Sequence, residues 1–200
     1  QSFPEAKKAA DKFGIKVLYG VEAYLVPDNK QEDITNLQEY IVLDIETTGL
    51  GTACDIIEIA AVRVRNNVIT DEFESFVKPR GTIPWNITRL TGITNAMVAG
   101  APPIEQVLCE FKQFVGDDVL VGHNIKSFDM RMISAKATDC GMCFGNELVD
   151  TLAMARKLLP TKYHGLADVC SYYNITNSNA HRALSDVIAT HECYQKLKGE

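Results

Sequence analysis

The stretch YIVLDIETTGL, from Tyr40 to Leu50, constrains this chain more than any other short segment in it. An apolar run ends there in Asp44 and Glu46, two carboxylates two residues apart. Side chains two apart on a strand share a face, so both charges point the same way. Like charges that close destabilise each other unless a proton or a cation sits between them. A hydrophobic core has no use for such a pair. A metal site does.

The chain has 200 residues, 46% of them hydrophobic, which suits one compact domain with a small appendage. No run of about 18 apolar residues is present, so no membrane span is expected. The N-terminus, QSFPEAKKAADKFG, lacks the basic-then-apolar layout of a signal peptide. The chain opens on Gln1 rather than Met, as a fragment or a processed or engineered chain would. Cysteines at 54, 109, 140, 143, 170 and 193 form no disulfide framework, which points to a reducing cytoplasm. Cys140 and Cys143 are the one close pair, and zinc would need two further ligands. A net charge of −6 gives no general attraction for a polyanion, although active-site carboxylates contribute to it.

Composition shifts along the chain. A helix-like stretch, Pro4 to Phe13, is stopped by Gly14, a β-rich run follows, and a polar stretch from Pro27 reads as a linker. After Tyr40 three strands are expected, with Asn66-Asn67 as a tight hairpin turn between the second and third. From Pro102 the pattern turns helical: Ile104, Val107, Leu108, Phe111, Phe114 and Val115 mark one buried face. Short strands at VLVG and LVD follow. Helices are expected at Thr151–Leu159, at Leu166–Tyr173 and from about His181 to Lys198. An antiparallel start followed by alternating helix and strand implies an α/β fold, a mixed sheet with helices around it.

Three further segments carry chemistry: His123-Asn124 through Phe128-Asp129, His181-Arg-Ala-Leu-Ser-Asp186, and the weaker loop LTGIT from Leu90 to Thr94. D-x-E-T-T-G is expected by chance roughly once in ten thousand chains of this size. Alone, Asp129 or Asp186 reads as a helix cap or a solvated acid. His181 alone reads as an ordinary surface histidine. Together the five residues reverse that reading. Hydrolysing a phosphodiester needs a nucleophile at neutral pH and a sink for charge on two oxygens, and two cations about 4 Å apart supply both. Oxygen ligands without cysteine favour Mg²⁺ or Mn²⁺ over zinc. Histidine, with an ordinary pKa near 6.5, can accept the proton. His181 and Asp186 lie on one side only if His181 sits at the frayed start of the helix.

These motifs, in this order over about Glu39 to Leu197, resemble the DEDDh (DnaQ-like) 3′–5′ exonucleases, which include polymerase proofreading domains. The resemblance implies a ribonuclease-H-like fold of about five strands and a two-metal mechanism at DNA 3′ ends. By that likeness Asp44 bridges both Mg²⁺ or Mn²⁺ ions, Glu46 and Asp186 help hold the nucleophile-side ion, and Asp129 serves the second. His181 is then the general base. Thr47, Gly49, Thr91 and Asn124 are the implied contacts to the terminal nucleotide. Phe128 fills the core or packs on a base, while Arg63, Arg65, Lys78, Arg80, Lys126 and Arg131 are candidate phosphate contacts. One departure stands out: the family's second motif spans five positions from His to Asp, whereas His123 to Asp129 spans six. The loop is expected to absorb the extra residue.

The front segment, Phe3 to Val26, resembles a piece of the PHP domain of PolC-like replicative polymerases, in which the exonuclease is inserted. That likeness points to Glu22 as a former metal ligand, without activity here because its partner motifs are missing. The domain expectation is therefore a PHP-like fragment and linker over 1–35 and an exonuclease domain over 36–200. The expected partners are single-stranded DNA 3′ ends and a DNA polymerase, tethered or in complex, with no membrane. An RNA-trimming exonuclease and a non-catalytic binding module are the rival readings. The motifs do not separate deoxyribose from ribose.

Overall fold

The computed structural model describes residues 37–200 together with Lys12. The expected amino-terminal helix, the β-rich run after it and Glu22 lie outside the described residues. The first described strand, β1, is Tyr40–Thr47. Tyr40, Ile41, Val42 and Leu43 are all buried, as a strand covered on both faces requires. β2 (Ile56–Arg65) and β3 (Val68–Phe76) continue an antiparallel meander. Asn66 and Asn67 turn between them with φ of 51° and 63°, the left-handed pair that a two-residue hairpin favours.

Seven helices and two short strands follow. They are α1 (Trp85–Thr91), α2 (Asn95–Val98), α3 (Ile104–Val115), β4 (Leu120–Gly122), α4 (Asp129–Asp139), β5 (Leu148–Asp150), α5 (Thr151–Leu158), α6 (Leu166–Tyr173) and α7 (Ala183–Leu197). The sheet order is β3-β2-β1-β4-β5, with β1, β4 and β5 parallel. This is the five-stranded mixed sheet expected from the sequence. It places β1 at the centre, with the ends of three parallel strands on one side, where α/β sheets offer a crevice.

The alternation of β1 divides the core. Ile41, Leu43 and Ile45 pack with Ile59 and Ala61 against Leu108 and Phe111 of α3 and Met132 and Ile133 of α4. Phe128 packs against this same cluster, so the core reading of that residue holds. Tyr40 and Val42 face the other way, with Ala60 and Val62, against Ala183, Val187 and Tyr194 of α7. Ile57, Ile83, Ile93 and Val98 form a smaller cluster that seats α1 and α2. His191 is buried with its Nδ1 3.1 Å from the Tyr40 hydroxyl, and His164 Nε2 lies 3.4 Å from the Leu159 carbonyl, so both serve structure.

Two boundaries differ from the sequence reading. Leu90 and Thr91 close α1 rather than open a loop, and Gly92, with φ 74°, supplies the left-handed cap. The last helix starts at Ala183, not at His181, because His181 has φ 66° and Arg182 is extended. Among the described residues no helix is long and apolar enough to cross a membrane.

Phe111 is fully buried with ring neighbours Phe73 and Phe144 at 5.5 and 5.8 Å. Phe111→Ala should cost about 3–5 kcal/mol, read as a lower urea midpoint with an unchanged slope.

Candidate active site

The parity that sends Tyr40 and Val42 toward α7 sends Asp44 and Glu46 there too. The β1–β2 register sets Asp44 opposite Ala60 and Glu46 opposite Glu58, and the ladder shifts between Glu46 and Thr47. α7 covers this face and brings Asp186 in its first turn. α4 begins at Asp129, whose side chain is buried. The extra residue of the second motif is taken up before it: Asn124, with φ 66°, accepts from the amides of Ser127 and Phe128. Asp129 thereby keeps its place at the helix start, as expected.

Glu46, His181 and Asp186 each present a ligand atom, all within 4.8 Å of one another. His181 lies just before α7, and its backbone N–H donates to Asp186 Oδ2 at 3.0 Å. Asn177 Nδ2 donates to Asp186 Oδ1. The His181 side chain is exposed, at the frayed start that the five-residue spacing to Asp186 demanded.

The electrostatics show how crowded these acids are. Burial, then the charges of Asp129, Asp186, Glu46 and Glu58, holds the Asp44 carboxyl well above the usual carboxylate range. Glu46 is pushed up to about 8 by burial, then by Asp186, Glu58 and Asp129, with Arg182 pulling the other way. Burial raises Asp129 to about 7 against the pull of its own backbone amide and that of Ile45. Asp129 Oδ1 is buried without a hydrogen-bond partner among the described residues. An all-oxygen set of repelling acids with an unsatisfied acceptor and one imidazole fits hard divalent cations. Asp44, Glu46, Asp129 and Asp186 are the residues that could hold them.

The other sequence candidates sit in loop-holding roles. Thr47 Oγ1 donates to the Gly49 carbonyl at 2.7 Å, and a Cβ on Gly49 would lie 2.8 Å from Cys54 Sγ. The close approach of Cys54 thus explains the glycine by packing. Thr91 is buried; its hydroxyl donates to the Ile87 carbonyl and accepts from the Ile93 amide, each at 3.0 Å. The Asn124 amide donates to Asp150 Oδ1 at 3.0 Å. Arg63 and Arg65 are not free for phosphate, since both pair with Asp118, and Arg80 is engaged by Asp55. Arg131 donates to the Leu50 carbonyl at 2.9 Å.

Sequence reading missed three residues. Asp150 caps α5 and also takes the amides of Asn124 and Lys126, fixing the turn that leads to Asp129. Glu58 is fully buried beside the cluster, and Arg182 pairs with it. A single Glu inside the apolar run IIEIAAV was the available signal for Glu58.

A five-stranded ribonuclease-H-like sheet carrying four acids and a histidine defines a nuclease class. The chain belongs to the exonuclease family of the RNase T type, whose family model, described as "Exonuclease", matches residues 41–194. It is 43% identical over 212 residues to the PolC-type DNA polymerase III of Clostridium perfringens, with 100% of this chain covered. It is 45% identical over 199 residues, 95% of this chain, to the PolC-type DNA polymerase III of Halalkalibacterium halodurans. The chain spans 14% of the length of each of these relatives. Among solved structures, Exonuclease X in complex with 5′ overhanging duplex DNA is similar, with TM-score 0.66 and 28% identity over 80% of this chain and 91% of that one. Exonuclease I of E. coli, with TM-score 0.72 and 19% identity over 82% of this chain and 41% of that one, shares the fold.

The raised carboxyls set the pH response of the metal-free protein. A carboxyl whose pKa is higher folded than unfolded contributes stability that is fully present below the unfolded value and is lost progressively until pH reaches the folded value. In EDTA the melting temperature should therefore fall as pH rises from about 4, near the unfolded carboxyl value, and level off at about 7 to 8. Asp44→Asn should flatten that fall and raise the metal-free melting temperature. Mn²⁺ should stabilise the parent chain at the upper end of the range and leave Asp44→Asn unaffected. A pH-independent melting temperature in EDTA would contradict the crowding described above.

Proposed function

We propose that this chain is a metal-dependent 3′–5′ exonuclease that hydrolyses phosphodiester bonds at DNA 3′ ends, as the proofreading region of a PolC-type polymerase. The convergence of Asp44, Glu46, Asp129, Asp186 and His181 at the carboxyl end of β1 carries this reading. The PolC-type relatives and the DNA-bound Exonuclease X support DNA as the substrate. The reading places the chain in the cytoplasm, tethered to a polymerase that delivers single-stranded 3′ ends. Its acidic balance suits a domain that receives ends rather than captures them.

Bound Mg²⁺ or Mn²⁺ would supply an activated water at neutral pH and a sink for charge on the leaving oxygen. Asp44, its carboxyl raised by burial and by the charges of Asp129, Asp186 and Glu46, would help to hold these ions. Glu46 and Asp186, with ligand atoms within 4.8 Å of each other and of His181, would hold an ion beside the base. Asp129 would offer its unpartnered Oδ1 to a second ion. His181 accepts the proton from the attacking water, and its exposure lets it pass that proton to solvent. Thr47, Gly49, Thr91 and Asn124 line the approach of the terminal nucleotide, with loop shapes already fixed by their own hydrogen bonds.

The test uses 5′-labelled single-stranded DNA and a matched RNA, with Mn²⁺ or with EDTA. A metal-dependent ladder shortening from the 3′ end, faster on DNA and absent for Asp44→Ala, is the expected result. His181→Ala should lower kcat by roughly 10² to 10⁴ with little change in KM. Faster RNA trimming would overturn the proofreading assignment. No ladder on either strand would remove the catalytic one.

A further inference from the structure

Glu58 is the most fully enclosed acid beside the site: its relative exposure is 0%, and it lies across the ladder from Glu46. A carboxylate there must be paired or pay heavily for lost solvent. Both of its oxygens are engaged. Arg182 Nη2 donates to Oε1 at 2.7 Å, Arg182 Nε reaches Oε1 and Oε2 at 3.2 and 3.3 Å, and the Ala183 amide donates to Oε2 at 2.9 Å. Arg182 is the N-cap residue of α7 but gives no side-chain cap, so the first helical amide is satisfied from β2 instead. The guanidinium also lies 5.4 Å from the centre of the Phe76 ring and 3.8 Å from Glu74. Its position is fixed from several sides.

The residue before Arg182 is His181. Its φ of 66° is a conformation that a non-glycine residue keeps only when its surroundings impose it. Those surroundings are two carboxylates: Asp186 holds the His181 amide, and Glu58 holds Arg182 and Ala183. The imidazole itself makes no hydrogen bond among the described residues and is exposed. Its aim toward Glu46 and Asp186 is therefore set through the backbone.

We propose that Glu58 and Arg182 are positioning residues, a clamp from β2 to the start of α7 that holds the His181 backbone in its left-handed turn and so aims the imidazole at the Glu46–Asp186 pair. Neither residue is among those proposed to hold metal or to take the proton. This inference rests on His181 being the base, as proposed above.

A double-mutant cycle on the whole chain tests it, with Mn²⁺-dependent hydrolysis of single-stranded DNA as the readout. Arg182→Met keeps the stem and removes the fork; Glu58→Gln keeps the shape and removes the charge. Each should lower kcat by about 10- to 100-fold with KM within about twofold at saturating Mn²⁺, and the two together should be no worse than one. Placed on His181→Ala, either change should lower the residual rate no further. If Arg182→Met and Glu58→Gln each cut the His181→Ala rate by the same factor as in the parent chain, the clamp does not act through the base and the proposal fails. If His181→Ala alone leaves kcat intact, the base assignment fails instead. Melting temperatures above the assay temperature show that each variant is folded. Should neither single variant fold, Glu58→Gln combined with Arg182→Met removes both charges together. The combined change then carries the same comparison with and without His181.

Discussion

Four carboxylates that repel one another are held at the carboxyl end of a single central strand, and much of the described structure serves to keep them there. Burial and neighbouring charge hold the carboxyls of Asp44, Glu46 and Asp129 above the usual carboxylate range, so keeping them there opposes the fold. The strand itself supplies the rigidity. β1 is paired on both edges, packed on both faces, and buried from Tyr40 through Leu43 before the first acid appears. A less securely held strand would relieve the repulsion by moving.

The remaining elements aim side chains at that strand end. α7 lies along the face that Asp44 and Glu46 share and contributes Asp186 from its first turn. α4 packs on the opposite face yet starts where β4 ends, so Asp129 reaches the same place. Asp150, at the end of β5, fixes the turn between β4 and α4 by taking two of its amides. Three parallel strand ends thus converge, and the histidine enters from a turn outside the helix.

Much of this was legible in the sequence, for physical reasons that can be stated. The strand period of two places Asp44 and Glu46 on one face, and helical spacing alone marks the buried face of α3. The fraying of α7 at His181 was implied by its distance from Asp186. What stayed hidden depended on contacts remote in sequence. Glu58 is separated from Arg182 by 124 positions, so neither residue signals the other. Arg63 and Arg65 read as free cations until the fold brought Asp118 beside them. Leu90 and Thr91 read as loop because the helix that contains them is short and ends on a glycine cap. Alternation and periodicity are local properties; ion pairing across the sheet is not.

If the acids are gathered against their own repulsion to hold two divalent cations, calorimetric titration with Mn²⁺ will show it. Run near about pH 7 in two buffers of different ionisation enthalpy, it reads both the number of ions bound and the protons released. Two Mn²⁺ per chain and a net release of protons are expected, because carboxyls raised to about 8 at Glu46 and about 7 at Asp129 carry protons that bound metal displaces. The release should shrink as the pH is raised past about 8. No binding, or binding without proton release near neutrality, would contradict it.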